Sequence, residues 1–217
     1  MKRHYYFIPG WGFSANVWPE HLVKHPVRYL DDESVDKMSL DLVFPISIIA
    51  WSFGGLLAIL LAEKYPYLVE KLILISSQPK MLEDDGWAGI TKTNADRFSK
   101  KLHESEDVVK TMFLSLIAFP DRNLEMRNRL STCMKKLTSS GMLNSFNELL
   151  KSDYRNQYAN LECKILHIIN ERDAIFTQDP TRIKKLNSNA HFEIINSGHA
   201  GFLTHQKIYR EIINDFL

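Results

Sequence analysis

Ser52 interrupts the stretch ISIIAWSFGGLLAILLA, residues 46–62, where a β-branched apolar run ends at Trp51 and Gly54-Gly55 precede a second apolar run. A serine on a sharp turn from strand to helix forms a nucleophile elbow. The turn pushes the hydroxyl out at the sheet edge, small neighbours let the chains pass, and the helix N-terminus favours negative charge developing nearby. The usual pattern is Gly-x-Ser-x-Gly, and here Ala50 takes the first glycine's place. The alternative reading of this stretch by itself is a serine that only caps the helix.

A serine hydroxyl attacks a carbonyl only if a base takes its proton and an acid fixes that base's tautomer, and after an elbow these follow in the order Ser, Asp, His. ILHIINERDAIFTQDP, residues 165–180, reads as a strand running into a polar turn that carries Asp173 past the sheet edge. Asp179, beside Pro180, is the weaker acid candidate because it suits the start of a helix. NSGHAGFLTH, residues 196–205, follows the last strand and places His199 in a loop between Gly198 and Gly201; His205, where the terminal helix begins, reads as a cap or surface residue. The oxyanion formed on attack needs fixed backbone N–H donors. Phe53, after the nucleophile, supplies one. Trp11, in the turn Pro9-Gly10-Trp11-Gly12 after the first strand, supplies the other; alone, that turn would read as an ordinary Gly/Pro loop.

These groups need a scaffold of parallel strands. Strands are expected at Tyr5–Ile8, Val27–Leu30, Ser47–Ala50, Lys71–Ser76, Lys164–Ile169 and Phe192–Ile195, and helices at Leu56–Lys64 and Gln206–Phe216. Short apolar runs alternating with helices indicate a mostly parallel sheet covered on both faces. From Leu82 to about Leu150 the text reads as helical throughout. The expected organisation is an α/β core of residues 1–79 and 161–217, interrupted by an all-helical cap at 80–160. With 217 residues, 45% of them hydrophobic, the chain can bury a full core. A formal net charge of +1 gives no global attraction to nucleic acid or membrane, and neither a signal peptide nor an 18-residue apolar span is evident. A cytoplasmic location without membrane or nucleic-acid partners is expected. Cys133 and Cys163 show no metal-ligand spacing and read as reduced core residues. The reaction needs neither metal nor organic cofactor.

Gly10-Trp11-Gly12, Trp51-Ser52-Phe53-Gly54-Gly55, Asp173 and Gly198-His199-Ala200 resemble the α/β-hydrolase superfamily. In detail they resemble its pimeloyl-[acyl-carrier protein] methyl ester esterases of biotin synthesis. SSQPKMLEDDGWAGI, LLKSDYRNQYANLECKIL and GHAGFLTHQ extend that likeness over most of the chain from Phe7 onward. The resemblance implies a serine esterase that removes the methyl group from an ω-ester on a carrier-bound acyl chain. Two positions depart from the family pattern: Pro9 stands where His is usual, and Ala50 where Gly is usual. The family's first two strands also have no counterpart before Tyr5, so the sheet is expected to be smaller at one edge.

Charge within the cap bears on the partner. Residues 122–155 hold seven Lys/Arg against three acids, whereas residues 80–121 hold six against eight. Arg122, Arg129 and Lys136 recur every seven residues and share one helical face, while Met126, Leu130, Cys133 and Leu137 form an apolar stripe on another. Carrier proteins are acidic, so Arg122, Arg127, Arg129 and Arg155 are expected to dock one; the other reading is a solvated face with no partner. Trp51, Phe113, Leu116 and Phe119 are the candidates to line the acyl site, although aromatic residues at such positions are more often core than site. Two other functions compete: a small-molecule carboxylesterase indifferent to carrier protein, and a catalytically silent α/β-hydrolase used as a binding module.

Overall fold

The computed structural model describes residues 4–20, 22–24, 26–30, 45–121, 123–135 and 139–217. Its strands are β1 (His4–Ile8), β2 (Val27–Tyr29), β3 (Ile46–Trp51), β4 (Val69–Ile75), β5 (Lys164–Asn170) and β6 (Ala190–Ile195). They form one parallel sheet in the order β2-β1-β3-β4-β5-β6. All six expected strands are present, each within two residues of its expected bounds.

The central strand β3 is buried along its whole length because both faces of the sheet are covered there, whereas β2 and β6 at the two edges carry exposed polar residues such as Arg28 and Glu193. Along β3, Ile46, Ile48 and Ala50 point to one face and pack with Ala58, Ile59 and Ala62 of α1 (Gly54–Lys64). Ile49 and Trp51, the alternate residues, point to the other face and pack with Phe202, Tyr209 and Ile213, the last two from α8 (Gln206–Phe216). The two-residue period of the strand thus feeds two separate cores.

Between β4 and β5 lie α2 (Lys92–Glu104), α3 (Glu106–Ala118), α4 (Leu124–Cys133), α5 (Ser139–Lys151) and α6 (Arg155–Ala159); α7 (Pro180–Leu186) follows β5. Helix does not begin at Leu82. Asp84 and Trp87 exchange backbone hydrogen bonds of 2.9 and 3.2 Å around Asp85-Gly86, and Gly86 takes φ 76°. Glycine adopts the left-handed conformation that this turn needs at position 86 without steric cost, so local turn chemistry wins here over helical periodicity. The apolar stripe of α4 is buried at Met126, Leu130 and Cys133; Leu137, Lys136 and Arg122 lie outside the described residues. Cys133 and Cys163 are free thiols, but Cys163 is only partly buried. Among the described residues no helix is long and apolar enough to cross a membrane.

Register places the functional loops together. Ile8 pairs with Ala50, Trp51 with Ile75, Ile75 with Ile168 and Asn170 with Ile195, so five strands end at one edge. Strand order reverses at β1, which lies between β2 and β3. In an open α/β sheet such a switch point leaves a crevice at the strand C-termini.

Candidate active site

Ser52 closes β3 with φ 54°, a left-handed conformation that costs a non-glycine residue on the order of 1–3 kcal/mol. Two backbone bonds hold it there: Ser52 N donates to Ile75 O at 2.9 Å and Gly55 N donates to Ser52 O at 3.0 Å. Close packing adds to them. A Cβ on Gly54 would lie 2.3 Å from the Pro9 carbonyl oxygen and 2.8 Å from that of Ile8, so only glycine lets α1 start beside the end of β1.

His199 follows β6 and is 1% exposed. Its Nδ1 lies 2.6 Å from Asp173 Oδ2 and its Nε2 lies 2.9 Å from Ser52 Oγ. A carboxylate can only accept, so Nδ1 carries the proton and Nε2 offers its lone pair to the serine hydroxyl. The other carboxylate oxygen of Asp173 accepts from Ile175 N at 2.8 Å and Phe176 N at 3.4 Å, which fixes the acid's plane. Trp51 Nε1 donates to His199 O at 2.9 Å and clamps the histidine backbone. Gly198 has no room for a side chain, since a Cβ there would stand 1.7 Å from the Phe119 carbonyl oxygen. The histidine loop therefore passes directly under the end of α3.

The loop after β1 lies against the nucleophile: a Cβ on Gly10 would come within 3.2 Å of Ser52 Cβ. Trp11 is next in the chain. Its indole packs edge-on against Phe98 and Phe113 and tilted against Phe146, at centroid distances of 6.1, 5.5 and 5.2 Å. Trp11 Nε1 donates to Ser145 Oγ at 2.9 Å, and Ser145 Oγ donates onward to Met142 O at 3.1 Å. Three helices of the β4–β5 insertion thus hold the residue that carries one candidate oxyanion amide. Phe53, which carries the other, packs edge-on against Phe146 at 6.2 Å.

A cavity of about 240 Å³ opens beside Phe53, walled by Phe98, Phe113, Leu116 and Phe146 and by Ala174-Ile175 next to the acid. At ~30 Å³ for each water-sized group it has room for about eight. Phe113 and Leu116 line it as expected, but Trp51 and Phe119 do not. Trp51 lies beneath the histidine among Phe13 and Phe202. The ring of Phe119 sits under the Arg172 guanidinium at 5.7 Å. Phe98 and Phe146 were missed, because their helices carry no sequence mark that tells a cavity wall from a core.

The expected docking arginines are placed differently from one another. Arg129 donates to Val17 O at 3.1 Å, to Asn16 O at 3.2 Å and to Trp18 O, tying α4 to the segment after β1. Arg155 pairs with Asp153 at 2.6 Å and Asp84 at 3.0 Å, and lies over the Trp87 ring. These pairs hold both carboxyls below the usual range: a hydrogen bond from Lys80 acts most on Asp84, and for Asp153 bonding to Arg155 outweighs partial burial. Both arginines thus engage acceptors within the chain, which leaves fewer free donors on the face expected to dock a partner. Arg127 is exposed, and Arg122 lies outside the described residues. Asp179 caps α7, accepting from Thr181 N and Arg182 N, and His205 precedes α8 with its Nδ1 2.9 Å from Thr204 Oγ1.

Comparison with known proteins agrees with this fold. Residues 43–206 match the model of the alpha/beta hydrolase fold family. The pimeloyl-[acyl-carrier protein] methyl ester esterase of Wigglesworthia glossinidia brevipalpis is 28% identical, over 97% of this chain and 92% of that protein. The esterase of the same name from Shewanella woodyi is 27% identical at the same coverage. Among solved structures, an esterase from Exiguobacterium antarcticum superposes with a TM-score of 0.83 at 17% identity, over 98% of this chain and 90% of that one. A bromoperoxidase from Bacillus anthracis gives 0.82 at 15% identity, over 98% and 91%. With a family match across most of its length and a strained serine where β3 turns into α1, the chain belongs to the α/β-hydrolase fold family.

Proposed function

We propose that this carboxylic ester hydrolase uses Ser52 as nucleophile, His199 as general base and Asp173 as its orienting acid, on a methyl ester at the end of an acyl chain carried by acyl carrier protein. The observation that carries the reading is the continuous hydrogen-bonded path from Asp173 through His199 to Ser52, beside an apolar cavity. His199 takes the Ser52 proton as Oγ attacks the ester carbonyl, and the Trp11 and Phe53 amides receive the oxyanion. Collapse expels methanol with the proton from His199. Water then attacks the acyl-enzyme under the same base and frees the carboxylate.

The methyl ester and the carrier protein come from the names of the relatives, and the cavity's apolar walls suit an acyl chain. One observation favours a second reading, a small-molecule carboxylesterase: Arg129 and Arg155 are engaged within the chain. Mass spectrometry of pimeloyl methyl ester on carrier protein, before and after incubation, separates the two. Loss of one methylene mass is expected with the wild type and not with Ser52→Ala. Turnover of free esters with no mass change on the carrier-bound one would establish the second reading, and wild-type turnover by Ser52→Ala would overturn the nucleophile.

A further inference from the structure

The cavity beside Phe53 is apolar along its length except at its outer end. There α2 presents Asn94 and Arg97, both exposed, and Arg97 is the single charged side chain among the described residues that line it. A helical cation is neutralised most simply by an acid three or four positions away. Arg97 has none: those positions are Thr93, Asn94, Lys100 and Lys101. Lys100 in turn faces Glu104 at 4.0 Å. Lys101, one turn beyond Arg97 on the same side of α2, adds a second positive charge. Among the described residues no ion pair involves Arg97 or Lys101, whereas Arg129 and Arg155 spend their guanidinium groups on carbonyls and carboxylates of this chain.

We infer that Arg97, supported by Lys101, forms an anion subsite at the mouth of the acyl cavity, and that the preferred ester carries a negative group, carboxylate or phosphate, at the end of the chain remote from the scissile bond. The inference rests on the reading of the Phe53 cavity as the acyl site. The ester end lies at Ser52, between Phe53 and the Ala174-Ile175 segment, the chain follows Phe113 and Phe98, and its far end emerges at α2. A guanidinium there meets a carboxylate or phosphate through paired N–H donors, which selects for charge without requiring a fixed chain length. A free terminal carboxylate and the phosphate of a carrier-bound prosthetic group share this chemistry.

Binding to Ser52→Ala protein, which holds substrate without turning it over, tests the subsite by calorimetry. The probes are the monomethyl and dimethyl esters of one straight-chain dicarboxylic acid, and the methyl ester of the same acyl chain on carrier protein. Adding Arg97→Gln is expected to weaken the half-ester about 3- to 10-fold, to leave the neutral diester within about twofold, and to lose most of its effect when Lys replaces Arg97 instead. Weakening of the carrier-bound ester alone assigns the anion to the prosthetic-group phosphate; weakening of the half-ester assigns it to a carboxylate. Equal affinity changes for charged and neutral probes, or none for either charged probe, overturn the subsite. Failure of the esterase reading shows separately, as absence of wild-type turnover on every ester. Arg97 is exposed, so the substitution leaves the core intact, and circular dichroism melting verifies this.

Discussion

His167 makes the fold itself sensitive to acid. It lies mid-strand in β5, fully buried, with its ring stacked on Phe192 at 5.3 Å. Its Nδ1 is 3.1 Å from the Ser77 carbonyl oxygen, which can only accept, so Nδ1 bears the proton; Nε2, 2.8 Å from Tyr158 OH, then accepts the phenol's hydrogen. Burial pushes the imidazole down to about 4 from an ordinary 6.5, although the bond to Ser77 O opposes the shift. The unfolded chain therefore binds a proton at a pH where the folded protein refuses it. Stability from this site is full above pH 6.5 and is lost as pH falls toward 4. The loss is about 2 kcal/mol at pH 5 and approaches about 3 kcal/mol below pH 4. Urea unfolding at pH 7.5 and pH 5.0 measures it, with His167→Gln as the non-titrating control. The variant is expected to be weaker at both pH values but to lose about 2 kcal/mol less on acidification than the wild type. Equal acid losses in the two proteins would refute the argument, as would an NMR titration in which the His167 ring protonates near pH 6.5.

Gly54→Ala would place a methyl 2.3 Å from the Pro9 carbonyl oxygen, at the base of the loop carrying Trp11. A loss of about 1–3 kcal/mol in stability is expected, together with lower esterase turnover; unchanged melting and turnover would count against the packing argument. Ser145→Ala leaves the Trp11 indole N–H without its acceptor, at a cost of about 1–3 kcal/mol. Its kcat is expected to fall with KM nearly constant, and Ser145→Thr to restore it. A KM effect with unaltered kcat would mean that the bond serves only the cavity wall.

The sheet was legible because a strand buried on both faces must be apolar throughout, and few other structures produce runs such as Ile46–Trp51. Ser52 and Asp173 were legible because each follows such a run, and His199 because flanking glycines mark its loop after the edge strand β6; register then brings the strand ends together. Partners were not legible. Arg129 finds its acceptor on Val17, 112 positions away, and Arg155 reaches Asp84, 71 positions away. Counting charges from 122 to 155 gives the number of cations but not which of them remain uncommitted. Likewise, Trp11 and Ser145 are 134 positions apart, and nothing in either segment marks the bond between them. The Asp85-Gly86 turn was written in the sequence, but the helical periodicity that follows masked it.

The elbow shows why the strained residue and the tight packing occur together. Left alone, Ser52 would relax from φ 54° to an ordinary conformation, and its hydroxyl would swing away from His199 Nε2. That relaxation requires α1 to shift at its first turn. Gly54 abuts the carbonyls of Ile8 and Pro9, and the neighbouring Gly55 abuts Ser77, so the first turn is wedged between the ends of β1 and β4 and has nowhere to go. The same wedge sets the distance between Gly10 and Ser52, and so the place of the Trp11 amide relative to the nucleophile. One packing arrangement thereby sustains the strain, aims the hydroxyl and seats the oxyanion loop. A methyl group at position 54 should consequently harm turnover more than its cost in stability alone would explain.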